Sequence, residues 1–498
     1  MAVARKPLLL LLALQCSVGL QPLAVRRPSL SAVRPRPALL TASGEPGQQA
    51  ADGELKQMRR RIDGEMVAIA GPALVGLAID PLASLVDTAF IGRFCSTADL
   101  AGVGVAVSVF NLLARTFNFI NTATTSQVAE VTPAATPAGA FTPAMASQAS
   151  AALAVAGAVG FGLAALMLVG GGPLLGVLGV EPSSPLFGAA RRYLAARALA
   201  APAALSLMAL QGAFRGARDT KSPLASLSLA SLSNIVLDAV FIGLLGFGVT
   251  GAALATAASQ WAAAALLWRR LVTRCTGGLP RPQLADCARI SRAGSWLTVR
   301  TFGCSSALSY SSLAAAAVGV AAGAAHQVAF QLWLAASLLA DAVAVAAQAL
   351  LASALARGDA IRARLLASRT LGVGLATGLA TSAALAAGGG RLLTPFSTDA
   401  AVLAATAAVW PLVVATQPLN TMAFAVDGLL FGASDFRACA VAMLSSAAPA
   451  VLLMRLGVGR GLGLGSVWAG LGLFMGLRSL LGLARIASRR GPWALLAE

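Results

Sequence analysis

From about residue 66 to 488 the chain is a succession of apolar runs, separated by short stretches that hold much of its Lys, Arg and Pro. Each run is close to or longer than the ~20 residues a helix needs to cross a hydrocarbon core. Spans are expected over 66–91, 100–129, 146–170, 187–212, 222–245, 250–272, 287–317, 323–354, 364–388, 400–431, 436–457 and 463–485. In lipid a helix satisfies its own backbone N–H and C=O groups, so the pattern predicts an all-α polytopic membrane protein with twelve transmembrane helices. A polar linker at 274–285 divides the spans into a first set over 66–273 and a second over 286–488. Outside them lie a presequence at 1–45, a polar segment at 46–65 and a tail at 489–498.

The two sets carry one block in common. Pro202 is followed by Ala209, Gly212, Gly216, Ala217 and Asp219, and Pro418 by Ala425, Gly428, Gly432, Ala433 and Asp435, every pair 216 residues apart. Weaker echoes at 223 residues pair Ala70-Gly71 with Ala293-Gly294 and Val105-Ala106 with Val328-Ala329. Such duplication predicts two homologous six-helix lobes and is the sequence mark of many secondary transporters. The Gly-xxx-Gly pairs predict close helix packing. Asp219 and Asp435, just outside the spans, are expected to cap helices or form salt bridges.

Composition agrees. Of the 498 residues 57% are hydrophobic and 11% charged, with mean hydropathy +0.78. The net charge of +18 invites a nucleic-acid partner, but its distribution speaks for a membrane instead. With the start of the first span placed inside, the inner segments hold Lys56, Arg59, Arg60, Arg61, Arg215, Arg218, Lys221, Arg269, Arg270, Arg274, Arg281, Arg357, Arg362, Arg437, Arg489 and Arg490. The outer loops and span edges hold only Arg93, Arg191, Arg192, Arg391, Arg455 and Arg460. That asymmetry follows the positive-inside rule and puts both termini on one side. The six cysteines show no CxxC spacing, and the chain has a single histidine, which argues against metal centres and acid–base catalytic clusters. With no GxxxxGK and no HExxH either, an enzyme is not expected.

Residues 1–44 contain six basic residues and no acid. Arg5-Lys6, the apolar run Leu8–Leu14 and Ser17-Val18-Gly19 form a signal-peptide pattern, and Arg26, Arg27, Arg34 and Arg36 among Ser, Pro and Ala follow as in a transit peptide. The two in series predict a plastid membrane; a plain secretory signal leading to another membrane is the alternative.

Charges inside spans are costly and therefore candidates for function. Asp80 and Asp87 lie seven residues apart, on one face of the first span, with Pro81 between them. Asn234 and Asp238, an i, i+4 pair in the fifth span, can hold a proton or small cation, the amide bridging to a second acid; the bland reading is that they only tie helices together. The eighth span carries His326, Gln327, Gln331, Asp341 and Gln348. A lone intramembrane His is more often a hydrogen-bonded packing residue than a relay. Asp427 falls in the second copy of the block, where the first has Gln211. Arg115 and Arg300 within apolar stretches have three readings: snorkelling, pairing with an acid, or contact with an anionic substrate.

In these residues the sequence resembles the multidrug and toxic compound extrusion family, in its DinF-like branch. The resemblance covers roughly 58–488 and rests on Asp80-Pro81 through Val86-Asp87-Thr88-Ala89-Phe90-Ile91-Gly92 and on Gly216-Ala217-Arg218-Asp219-Thr220-Lys221-Ser222-Pro223. It rests also on Asn234-Ile235-Val236-Leu237-Asp238, Ala325-His326-Gln327, Leu338-Leu339-Ala340-Asp341 and Asp427-Gly428 through Gly432-Ala433-Ser434-Asp435. It implies two six-helix lobes around a V-shaped cavity and export of small organic solutes (organic acids, phenolics or cationic xenobiotics) driven by H+ or Na+, with no other cofactor. By motif match Asp87, Asn234 and Asp238 fall at the family's first-lobe cation site. Asp80, Arg115, Arg300, His326, Gln327, Asp341 and Asp427 are then candidates to line the substrate cavity. Arg300 and Thr301 stand where some branches carry acids in the seventh span, which fits an anionic substrate. The expected partners are a small organic solute and the bilayer, with the chain a monomer; the competing function is a flippase for a lipid-linked substrate on a related fold.

Overall fold

A computed structural model describes residues 45–497, apart from most of 95–115 and positions 134, 178–179, 181, 185, 395 and 397–398; the side chains of 45–52 and 80–94 also lie outside the description. Residues 1–44 of the expected presequence lie outside it. The helices in chain order are α1 (Glu45–Phe94), α2 (Phe119–Glu130), α3 (Pro143–Val177), α4 (Phe187–Ala198), α5 (Ala201–Gly216), α6 (Lys221–Asp238) and α7 (Gly248–Arg274). After the linker come α8 (Leu284–Val318), α9 (Val320–Ala356), α10 (Ala360–Gly388), α11 (Ala400–Ala415), α12 (Gln417–Gly432), α13 (Phe436–Gly459) and α14 (Gly463–Ala487). The polar segment 46–65 is helical and runs into the first span as part of α1.

Among the described residues seven helices are long and apolar enough to cross a membrane, and up to nine if each of two bent pairs is one span. α7 and α8, at 27 and 35 residues, are long enough by length, and α2 is the described part of the second span. With each bent pair taken as one rod, the rods follow the twelve expected spans.

The expected spans 187–212 and 400–431 are both broken. α4 and α5 meet at 49°, α11 and α12 at 48°. The cause is one residue used twice. Pro202 and Pro418 occupy the first turn of α5 and α12, where proline lacks an N–H to donate and its ring clashes with the turn before. Each corner is seated on a glycine: a Cβ added at Gly160 of α3 would lie 2.6 Å from the Pro202 Cα, and one at Gly378 of α10 would lie 2.6 Å from the Pro418 Cα.

Beyond the corners, α5 lies on α2 and α12 on α9. A Cβ at Gly212 would meet the Asn121 carbonyl at 2.6 Å and one at Gly216 the Thr125 carbonyl at 2.7 Å; at Gly428 the Ala344 carbonyl would be 2.6 Å away and at Gly432 the Gln348 carbonyl 2.9 Å. The expected glycine packing is thus present in both halves, as backbone against backbone. Both helices also end alike. Arg218 and Ser434 take the left-handed conformation, and the next N–H reaches back five residues, Asp219 to the Phe214 carbonyl and Asp435 to that of Leu430, the signature of a Schellman end.

The two aspartates then do what their position predicted. Asp219 accepts from the Ser222 backbone N–H (2.9 Å), the Ser222 hydroxyl (2.7 Å) and Arg274 (2.6 Å). Burial alone would push its carboxyl up, but these donors outweigh it and hold the carboxyl below the usual carboxylate range. The stability it adds is therefore present above that range and is lost as the pH falls below it. Asp435 accepts from Arg485 (2.7 Å) and from the indole N–H of Trp493 (3.1 Å). Trp493 is fully buried, so the tail folds as a short 3-10 helix (Gly491–Ala497) against the second half.

The halves face each other across a pseudo-twofold relation. Ser126 and Gln348, 222 residues apart, hydrogen-bond to each other at 2.9 Å. α1 and α2 pack on α9, while α8 packs on α2 and α3. The described hydrogen bonds and ion pairs between halves all fall in the half of the bundle nearer the loops at 131–142, 217–220, 275–283, 357–359 and 433–435, the inner side by charge.

The repeated glycines set helix spacing, and single substitutions test this. Gly428→Val, which needs space the Ala344 backbone occupies, should cost about 1–3 kcal/mol. It should lower the thermal midpoint of the detergent-solubilised protein, whereas Gly162→Val, with nothing within 4 Å, should leave it unchanged.

Candidate functional site

α6 presents Leu229, Leu232 and Val236 outward, all exposed as lipid-facing residues should be. Its opposite face buries Asn234 and Asp238, one turn apart, with Asp238 fully enclosed. The α-helix ends at Asp238 and continues as a π-turn, Ala239–Leu244. There the Leu245 N–H bonds to the Val240 carbonyl five residues back at 2.9 Å. Such a turn shifts the helix register by one residue and marks functional sites more often than ordinary helix does. α6 packs against α7 and against α1, the helix that carries Asp80 and Asp87. The side chains of Asp80, Asp87 and Arg115 lie outside the described residues.

The second half holds a different arrangement. Asp427, on α12, sits between Arg300 on α8 and Arg478 on α14. Arg300 donates through both Nε, at 3.1 Å, and Nη2 to Oδ2. Arg478 donates from Nη2 to Oδ2 at 2.6 Å and from Nε to Oδ1 at 3.3 Å, and the Cys439 thiol of α13 points at Oδ1 from 3.6 Å. Aromatic faces back both guanidiniums, Phe431 at 5.1 Å from Arg300 and Phe424 at 5.1 Å from Arg478. One carboxylate thus answers two guanidiniums. Asp427 and Arg478 are closed off, at 4% and 2% exposure, whereas Arg300 keeps 18%.

Asp341, on α9, is half-buried and makes no hydrogen bond or ion pair within the described residues. It lies in the electrostatic field of Arg215, Arg300 and Arg478, as well as that of Asp427. Of the three readings of Arg300, pairing with an acid is the one realised here. His326 sits apart, fully buried in the core of the second half. Its Nε2 is 3.3 Å from the Ser311 hydroxyl and 3.4 Å from that of Ser312, and its ring packs on Phe330 and Trp468. Gln327, next in sequence, is exposed, its amide 3.5 Å from Ser312 Oγ.

This architecture, a duplicated helical bundle with one polar site in each half, has a match in sequence: the model of the MatE family fits residues 72–240 and 299–454. The chain belongs to the MatE family. It is an integral multi-pass membrane transporter of small solutes, and the family implies cation-coupled efflux. The chain is 37% identical to Protein DETOXIFICATION 44, chloroplastic, of Arabidopsis thaliana over 441 residues, covering 88% of this chain and 84% of that one. It is 36% identical to Protein DETOXIFICATION 42 of the same plant, covering 87% and 93%. Among solved structures, that of a MATE protein in the bent conformation superposes with a TM-score of 0.78 at 19% identity, over 89% of this chain and 98% of that one.

Within this MatE fold two buried arginines escape a reading of the sequence. Arg478 lies inside the expected span 463–485, and an arginine so placed carries the same signal that singled out Arg115 and Arg300. Arg197 lies in the span 187–212, is buried, donates to Gln260 at 3.2 Å and stacks its guanidinium 4.1 Å from the Phe110 ring centre. The pairing of Asp427 with Arg300 is not visible in sequence because 127 residues separate them.

Removing one member of a buried ion cluster strands the others. Asp427→Asn leaves the buried Arg478 and the partly exposed Arg300 without their carboxylate and should destabilise by about 3 kcal/mol. Adding Arg300→Met should recover part of that loss, while Asp341→Asn should cost under about 1 kcal/mol. Unfolding of the purified protein measures all three, and additive losses in the double variant would contradict the cluster.

Proposed function

We propose that this transporter is an antiporter that exports small organic anions, in exchange for H+ or Na+ bound in its first half. The observation that carries the reading is the Arg300–Asp427–Arg478 cluster. Two guanidiniums share one carboxylate, and the partly exposed one is poised to accept a second. An anionic group on the substrate completes Arg300's planar fork of donors.

The coupling ion belongs to the other half. Asp238 is buried beside the Asn234 amide at a break in helix geometry, on the face of α6 that packs against the helix bearing Asp87. A proton or Na+ there removes net charge from the bilayer interior and favours one arrangement of α1 against α6 over another. Asp87, placed by motif match on α1, is the proposed second acid of this site. Substrate released on the outer side and cation entering from it then move in opposite directions through one two-state molecule.

The plastid membrane is the proposed location. The presequence pattern and the chloroplastic label of the Arabidopsis relative both support it, and the inner, arginine-rich face would then be the stroma.

Proton movement in proteoliposomes of the mature protein, presented in turn with organic acids and organic cations, tests the reading. Wild type should move protons when carboxylates are supplied and not when cations are, and Asp87→Asn and Asp238→Asn should each abolish the flux while remaining folded. Arg300→Gln should raise the half-saturating carboxylate concentration at least about tenfold, equivalent to about 1.4 kcal/mol of binding. Flux that survives both aspartate substitutions, in H+ and Na+ alike, removes the coupling site and favours a flippase.

A further inference from the structure

The inner contact between the halves is built twice, and the two versions differ in charge. Asp63 on α1 and Asp286 on α8 are equivalents at the 223-residue offset that also relates Ala70-Gly71 to Ala293-Gly294. Each lies near the inner end of the first span expected in its half, Asp63 well inside α1 and Asp286 in the first turn of α8, with its partner in the other half.

At the first seam the charges are paired. Asp63 accepts from Arg369 of α10 through Nε at 2.8 Å and Nη2 at 2.6 Å, a two-pronged bridge, and Glu65 pairs with Arg362 on the same helix. These four side chains keep 22–41% exposure, which places them where water reaches. Beneath them Ile62, Met66, Ile69 and Ala73 are buried in one apolar cluster with Val343, Leu350 and Leu366 of the other half. At the second seam Asp286 takes, among the described residues, the Ser147 hydroxyl at 3.2 Å. Arg289 donates to the Gln148 amide oxygen at 3.1 Å and stands 3.9 Å from Glu130. The geometry is repeated, but two close ion pairs at the first seam face mostly neutral contacts at the second.

We propose that the α1–α10 seam is a latch that holds the inner gate shut, and that the α8–α3 seam is the hinge side. Inner opening then begins by parting Asp63 from Arg369 and Glu65 from Arg362 while α8 and α3 stay in contact. Exposed pairs of this kind each bias an equilibrium by at most about fivefold. Such a hold favours one state without trapping it, as a gate that must open in every cycle requires. The latch concerns which end of the bundle opens and stands whether or not the exported solute is an anion.

The test reads the gate and not transport. Ala73→Cys, a small change at a position 4% exposed, reports on the first seam through its rate of maleimide labelling in the full-length protein, with the modified peptide identified by mass spectrometry. Asp63→Asn and Arg369→Gln should each raise that rate about threefold or more. The exchange Asp63→Arg with Arg369→Asp should return it towards wild type, and Asp286→Asn should leave it within about twofold. Because the exchange variant can fail to fold, a second measurement uses no latch substitution: raising salt to about 1 M, where the screening length falls to about 3 Å, should speed labelling of Ala73→Cys. Equal acceleration by Asp63→Asn and Asp286→Asn, or no acceleration by Asp63→Asn and by salt, overturns the proposal. Loss of substrate flux with the latch behaviour intact would count against the antiport reading alone.

Discussion

The structure depends on how closely helices can approach when nothing but packing and a few polar contacts holds them. In lipid there is little hydrophobic gain from bringing two apolar helices together, so contact area and close backbone approach decide. The chain answers with glycine at the four places where α5 crosses α2 and α12 crosses α9, each with a carbonyl under 3.0 Å from where a Cβ would be. The prolines that open those helices, and the glycines of α3 and α10 beneath them, fix where each crossing starts. The charge cluster of the second half is hung from this frame. Asp427 precedes Gly428, so its side chain is carried to a fixed depth by the same contact that seats the helix.

On one frame the halves have acquired opposite chemistry. Gln211 occupies in the first half the place that Asp427 holds in the second, both of them buried. A neutral amide there needs no counter-charge. A carboxylate needs one, and α8 and α14 supply two. Conversely, Asp80, Asp87, Asn234 and Asp238 lie on α1 and α6, while α8, the repeat equivalent of α1, carries Arg300. On the proposed reading, a cation in one half and an anionic solute in the other give one two-state molecule two ligands of opposite sign to respond to.

Much of this was legible before any coordinates. Span positions, the duplication, the packing role of Gly212, Gly216, Gly428 and Gly432, and the bridging role of Asp219 and Asp435 all follow from spacing and polarity, because these are local or periodic properties. The 48–49° corners were signalled by Pro202 and Pro418, but a hydropathy window reads straight through a single proline, so each bent pair looks like one span. The partners of those corners were hidden: Gly160 and Gly378 stand outside the repeated block and look like any other glycine in an apolar span. The charge cluster was half legible. Depth in the membrane identifies Arg300 and Asp427 as needing partners, but which partner is a matter of tertiary packing between α8, α12 and α14. Arg478 carried the same warning, an arginine in an apolar stretch.

The asymmetry of the inner seams bears on how two ligands are coupled. Reversing a two-state molecule from one part in a hundred to the opposite ratio needs about 5.5 kcal/mol of differential binding. A gate sealed by a deeply buried ion pair would add a penalty of several kcal/mol on parting, which the coupling ion and substrate would also have to overcome. Partly exposed pairs avoid this, because water replaces the lost partners as the seam opens. The same chain therefore uses charge in two ways set by depth. Where Asp427 is sealed from water, its ions hold α8, α12 and α14 together as one body, and where Asp63 and Glu65 meet solvent, theirs can part in every cycle. Motion should concentrate where ion pairs are wet and spare the helices joined by the dry ones, so α8, α12 and α14 move as a unit.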